Sequence, residues 1–199
     1  MHKSPLPSAS MLPRIARGFT LLEALVVLAL IGTLAAIGIP QLQNFSNRKL
    51  VDSQVASLAS SFRLARAEAI RRGRLVTVCP SDNPDAAAPT CSAGGGTLGW
   101  ASGWIVFEDD PQAGARGVID AGDTIISSQG AFPRSGGVIV NTAGYFITFQ
   151  GNGLPVRGAP FPNTTFTIYP DSSDKLSSKL SKTVVIDVVG RARIALLNP

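Results

Sequence analysis

Phe19-Thr20-Leu21-Leu22-Glu23-Ala24-Leu25-Val26-Val27-Leu28-Ala29-Leu30-Ile31-Gly32-Thr33-Leu34-Ala35-Ala36-Ile37-Gly38-Ile39 is the stretch on which the reading of this chain turns. It carries a single charge, Glu23, in twenty-one residues. Wound as an α-helix it is roughly 30 Å long, about the thickness of a bilayer core. Lys3, Arg14 and Arg17 precede it, and basic flanks stay on the cytoplasmic side, so the bulk of the chain is expected outside. A secretory signal is the competing reading, with Ala36-Ile37-Gly38 as a small-x-small cleavage site. Against it stand the length of the apolar run and the closely following Pro40. Glu23 weighs further: a carboxylate in an apolar helix costs about 2.5–3.5 kcal/mol on insertion scales, so it implies a partner.

Immediately upstream, Arg17-Gly18-Phe19-Thr20-Leu21-Leu22-Glu23 resembles the prepilin peptidase site of type IV pilins and type II secretion pseudopilins. The resemblance implies cleavage after Gly18, methylation of the new amino group on Phe19, and retention of the helix in the inner membrane. The N-terminus would be cytoplasmic and the body periplasmic before entry into a pilus or pseudopilus. Glu23 would face the Phe19 ammonium group of its own or a neighbouring subunit during assembly. Pro40 stands where the family keeps its proline, and with Gly32 and Gly38 it is expected to weaken the second half of the helix. Residues 1–13 make a long leader, which leaves Met11 as an alternative start.

Past Pro40 the pattern becomes amphipathic. Val51, Val55, Leu58, Phe62, Ala65 and Ala69 recur at spacings of three and four, which lines one helical face. Arg48, Lys49, Arg63, Arg66, Arg71 and Arg72 fall largely off that seam. They make either a solvated face or a contact surface for a neighbouring subunit or an acidic ligand. Gly73 after Arg71-Arg72 is a helix stop, a glycine cap with cations near the negative helix end.

Eight short β-type runs follow: 75–79, 104–107, 124–127, 138–140, 145–149, 165–169, 183–188 and 191–196, each bounded by Gly, Pro, Asn, Asp or Ser. Phe62–Ile70, Gly103–Asp109, Gly117 to Ile126, Phe149-Gln150-Gly151-Asn152-Gly153 and Gly190-Arg191-Ala192-Arg193 are similar to segments of the GspH/FimT family of minor pilins and pseudopilins, with FimT-type members the most alike. The expected fold is α+β and type IV pilin-like, a long N-terminal membrane-spanning helix packed on a body of one or two antiparallel β-sheets. The expected divisions are a leader at 1–18, a transmembrane and assembly helix at 19–40, an amphipathic periplasmic half at 41–73 and a β-rich globular domain at 74–199.

The formal charge of +5 is unevenly spread: +5 over residues 41–74, −6 over 75–174 and +4 over 175–199. Global basicity therefore carries no argument for nucleic acid, whereas the basic tail does. A single histidine, His2, and two cysteines exclude an ordinary His-based triad or a Cys/His zinc site. Catalysis by carboxylates alone stays open but nothing recommends it, so no enzyme, metal or cofactor is expected.

Cys79 ends one strand and Cys91 follows a Pro-, Asp- and Ala-rich loop. A disulfide between them is permitted in the periplasm and would contribute on the order of 3 kcal/mol. Glu108, Asp109, Asp110, Asp120 and Asp123 lack the order of an EF-hand and suit a hydrated acidic turn. Trp100 and Trp104 suit core anchors.

In the tail, Gly190 can turn the chain, and Arg191 and Arg193 are then expected on one face of the last strand. Lys175, Lys179 and Lys182 lie just upstream, a set suited to phosphate groups. The segment is similar to the Gly-Arg-x-Arg element of DNA-binding FimT-type pilins, which implies capture of double-stranded DNA, independent of sequence, for natural transformation. The alternatives are a strand edge that discourages aggregation or a contact with another pilin. The expected partners are other major and minor pilins or pseudopilins, the prepilin peptidase and the inner membrane. The competing function is a GspH-like minor pseudopilin that primes a type II secretion filament without binding DNA.

Overall fold

The computed structural model describes residues 19–92, 99–112, 114–132, 135–141, 145–156, 163–170 and 180–196. The chain divides into two compact units, Met1–Leu42 and Gln43–Pro199. One helix, α1 (Leu21–Arg72), supplies residues to both.

In the first unit α1 opens on a local cap. The Glu23 backbone N–H donates to Thr20 Oγ1 at 3.2 Å, so Thr20 satisfies an N–H that the first turn cannot. Thr20-Leu21-Leu22-Glu23 is also the spacing of a capping box, and Glu23 brings negative charge to the positive helix end. Leu21–Ile39 is long and apolar enough to cross a membrane, with a mean hydropathy of 2.4. Leu25, Leu28, Leu34 and Ile37 stand exposed along it, an apolar surface among the described residues.

In the second unit the seam behaves as its spacing requires. Val51, Val55, Leu58, Phe62, Ala65 and Ala69 are all buried, joined by Gln54 and Ala59. Gly73 ends the helix with φ +67°, its N–H donating to Ala69 O at 2.9 Å.

Among the described residues the strands are β1 (Val76–Pro80), β2 (Trp104–Glu108), β3 (Thr124–Gln129), β4 (Ser135–Val140), β5 (Ile147–Phe149), β6 (Thr164–Pro170), β7 (Lys182–Ile186) and β8 (Ala192–Leu196). They form two four-stranded sheets in the orders β3-β2-β1-β5 and β4-β6-β7-β8, every pairing antiparallel. All eight expected strands are present. The clearest differences fall at their ends. Tyr145 and Phe146 are exposed and lie outside β5, while β7 stops at Ile186, where Asp187 begins a turn.

The core lies between the helix seam and both sheets. Phe62, Trp100 and Phe166 pack as a trio with ring centroids 4.9–5.7 Å apart, the range in which aromatic pairs gain beyond area burial. Trp104 is fully buried and donates Nε1–H to Ser61 Oγ at 2.9 Å, which ties β2 to α1. Both tryptophans are core anchors, as their sequence context suggests.

Candidate anion-binding face at the C-terminal turn

β7 and β8 meet in a turn at Asp187–Gly190, closed by the Gly190 N–H donating to Asp187 O at 2.9 Å. Gly190 adopts φ +77°, and a Cβ there would meet Gly153 O at 2.6 Å and Phe149 Cε1 at 3.2 Å. Both the left-handed backbone and the close approach call for glycine. Ala192 is buried and Arg191 and Arg193 are exposed on either side of it.

The expectation that both arginines project from the last strand needs correction. β8 begins at Ala192, so Arg191 belongs to the turn. Its backbone N–H donates to Asp187 Oδ1 at 2.8 Å and its Nε to Asp187 Oδ2 at 3.1 Å. Arg193 pairs with Val185 of β7, and alternation puts it on the sheet face opposite to Ala192. Burial opposes ionisation of Asp187, but the N–H groups of Arg191 and Val189 and the Arg191 guanidinium outweigh it and hold the carboxyl below its ordinary range.

The structure joins to this turn two of the helix arginines that the sequence left as either a solvated face or a contact surface for a neighbouring subunit or an acidic ligand. Arg63 Nη2 donates to Ala192 O at 3.3 Å, and Arg66 Nε donates to Gly153 O at 3.0 Å. Arg63, Arg66 and Ile70 of α1 face Gly190 and Arg191 across a shallow depression of about 350 Å³. The i, i+3 spacing of Arg63 and Arg66 was a signal in the sequence. Their meeting with a turn more than 120 residues away was not.

The lysines expected to assist are placed differently. Lys182 opens β7 opposite Leu196, while the turn closes at the other end, where Ile186 faces Ala192. At about 3.3 Å per residue, four residues separate Lys182 from that end by roughly 13 Å. Lys182 is moreover ion-paired with Asp52 of α1. Lys175 and Lys179 lie outside the described residues, as does Gly18. Phe19 is exposed ahead of the helix, Glu23 is exposed in its first turn, and the backbone of Pro40 is helical.

Cys79 and Cys91 form the expected disulfide, with Cα atoms 5.6 Å apart. The acidic stretch is less hydrated than expected. Asp109 is buried, accepting from Thr77 Oγ1 at 2.6 Å and from the Gly117 N–H at 3.0 Å. Asp123 accepts the N–H groups of Asp110 and Asp120, both at 2.8 Å. These carboxylates hold loop backbone, and no group of metal-ligating residues occurs among the described residues. Arg72 bridges Glu68 and Glu108 at 2.7 and 2.6 Å, and Arg71 adds a second partner to Glu68. The hydrogen bonds from Arg71 and Arg72 lower the Glu68 carboxyl from 4.5 to about 2.

Comparison with known proteins agrees with this architecture. The model of the GspH family, described as type II transport protein GspH, matches residues 54–190, more than two thirds of the chain. The chain belongs to the GspH family of minor pilins and pseudopilins. A prokaryotic N-terminal methylation motif matches residues 13–39, which spans Gly18, Phe19 and Glu23.

A fimbrial protein of Pseudomonas aeruginosa is 43% identical over 58 residues, 29% of this chain and 37% of that protein. Pilin-like protein PilA1 of Thermus thermophilus is 45% identical over 60 residues, 30% of this chain and 37% of that one. This GspH-family chain thus matches these relatives over well under half of their length. Among solved structures, the type IV minor pilin FimU of P. aeruginosa aligns with a TM-score of 0.52 at 20% identity, covering 78% of this chain and 92% of the other. That likeness speaks for the fold: an apolar N-terminal helix followed by antiparallel sheets.

Proposed function

We propose that this chain is a minor pilin of a type IV pilus, processed after Gly18, methylated on Phe19, held in the inner membrane by α1 and assembled at low copy with other pilins. The observation that carries this reading is the bare apolar surface of Leu21–Ile39 behind a methylation motif, joined to a GspH-type body. Such a surface calls for lipid before assembly and neighbouring helices after it. Glu23 serves register: pairing with the Phe19 ammonium group offsets the cost of a carboxylate in that apolar setting. N-terminal sequencing of the membrane protein should begin at methylated Phe19. Glu23→Val should insert normally but be depleted from sheared filaments. A mature chain starting near Ile39, or equal recovery of the variant, would overturn the reading.

The finer role in this proposal is capture of double-stranded DNA through exposed Arg191 and Arg193 for uptake in transformation. Contacts to phosphate carry no base information, so binding should be indifferent to sequence. Changing both arginines to Gln in the full-length protein, held in zwitterionic nanodiscs, should shrink the log–log salt slope by about two units. The same variant should reduce DNA uptake without removing pili. Unchanged binding would leave the second reading, a pseudopilin of a type II secretion filament without DNA. The family description and the Arg191–Asp187 pair, which occupies one arginine structurally, favour that alternative.

A further inference from the structure

We propose that the DNA-binding surface is composite, with Arg63 and Arg66 of α1 supplying phosphate contacts beside Arg191. This rests on the DNA-capture reading above and adds two contacts that the tail motif does not contain.

Charge accounting leads to it. Three guanidinium groups border the depression against the single carboxylate of Asp187, which leaves a net charge of +2. Arg191 is the group that Asp187 pairs, so the excess belongs to Arg63 and Arg66. Among the described residues, neither of these forms an ion pair, whereas Arg71, Arg72, Arg74, Lys182 and Arg191 all do. The basic residues at the helix end are neutralised by Glu68 and Glu108. The two that face the turn are not.

Both are also positioned beforehand. Each donates to a backbone carbonyl, Arg63 to Ala192 and Arg66 to Gly153, which leaves further N–H donors on each guanidinium. Glycines make this placement possible. Gly153 has φ +77°, and a Cβ there would lie 2.7 Å from Ile70 Cδ1 and 3.2 Å from Arg66 Nε. Gly190 in turn backs onto Gly153 O. Two glycines packed against each other therefore draw the helix arginines and the tail arginine to one place. Arginines tethered this way lose little further freedom on meeting a phosphodiester, and their fork suits its two free oxygens. The exposed Ile70 beside them offers apolar contact to a sugar.

The test is a salt titration of fluorescent duplex DNA against the full-length protein in zwitterionic nanodiscs. Arg63→Gln with Arg66→Gln should reduce the log–log slope by about two units, each phosphate contact being worth about 0.9. Arg63→Lys with Arg66→Lys should restore most of the slope, which separates lost charge from lost folding. Arg71→Gln, at a neutralised arginine away from the depression, should leave it unchanged. A wild-type slope in the Arg63/Arg66 double variant, alongside a reduced slope for Arg191→Gln with Arg193→Gln, would overturn the composite surface and leave the tail reading standing. Normal DNA binding combined with failed incorporation into filaments would overturn it too, assigning Arg63 and Arg66 to a neighbouring subunit. No duplex binding by the wild-type protein would remove the DNA reading and this inference together.

Discussion

Asp187 and Arg191 are joined twice, the backbone N–H of Arg191 on one carboxylate oxygen at 2.8 Å and its Nε on the other at 3.1 Å. Val189 adds a third donor at 3.1 Å. One nearly buried carboxylate thus organises the turn that presents the tail arginines. Asp187→Ala leaves these donors without their acceptor and should cost about 1–3 kcal/mol. Urea unfolding of the purified protein measures it, and a loss below about 0.5 kcal/mol, the usual scale of a surface change, would show the turn to be held by other contacts.

Gly190 and Gly73 both have positive φ, but only Gly190 is also crowded, with Gly153 O at 2.6 Å from a Cβ position. Gly73→Ala meets nothing within 4 Å and pays for backbone strain alone. Gly190→Ala should be the more damaging of the two, at about 1–3 kcal/mol or above. Thermal unfolding of the pair decides it. Equal losses would mean that the chain around Gly153 shifts without cost.

The disulfide joins β1 to the segment leading to Trp100 across a sequence separation of 12. Replacing both cysteines by Ser should cost about 3 kcal/mol, chiefly by freeing the unfolded chain. Thiol labelling of the non-reduced protein should find no reactive cysteine. Two accessible thiols would contradict the bridge.

Glu68 titrates at about 2 in the folded protein against an ordinary 4.5. The folded state therefore binds fewer protons than the unfolded one between these values. The contribution of Glu68 is complete above about pH 4.5 and fades as the pH falls toward 2. The difference in melting temperature between wild type and Glu68→Gln should accordingly shrink over that window. It should also shrink in high salt, because the Arg71 partner is exposed. A difference independent of pH would argue that Glu68 acts through packing.

The N-terminal half was legible because its determinants are local. Helix periodicity, the run of apolar residues and Gly73 after two arginines act within a few turns of chain, so spacing alone conveys the helix, its seam and its stop. The Thr20 cap, by contrast, emerged only from the structure. Strand existence was legible for the same reason as the helix, from short β-type runs bounded by turn residues. Strand ends were less so: Asp187 ends β7 through hydrogen bonds to its own turn, and β propensity at Val188 and Val189 gives no sign of that. The division of the strands into two sheets, and the meeting of Arg63 and Arg66 with Gly153 and Gly190, were decided only by tertiary structure. These depend on which distant segments share the core formed by Phe62, Trp100 and Phe166. The sequence determined that the tail is basic. Tertiary structure decided which cations stand free there, because an ion pair such as Lys182 with Asp52 is a relation between elements that spacing along one chain cannot carry.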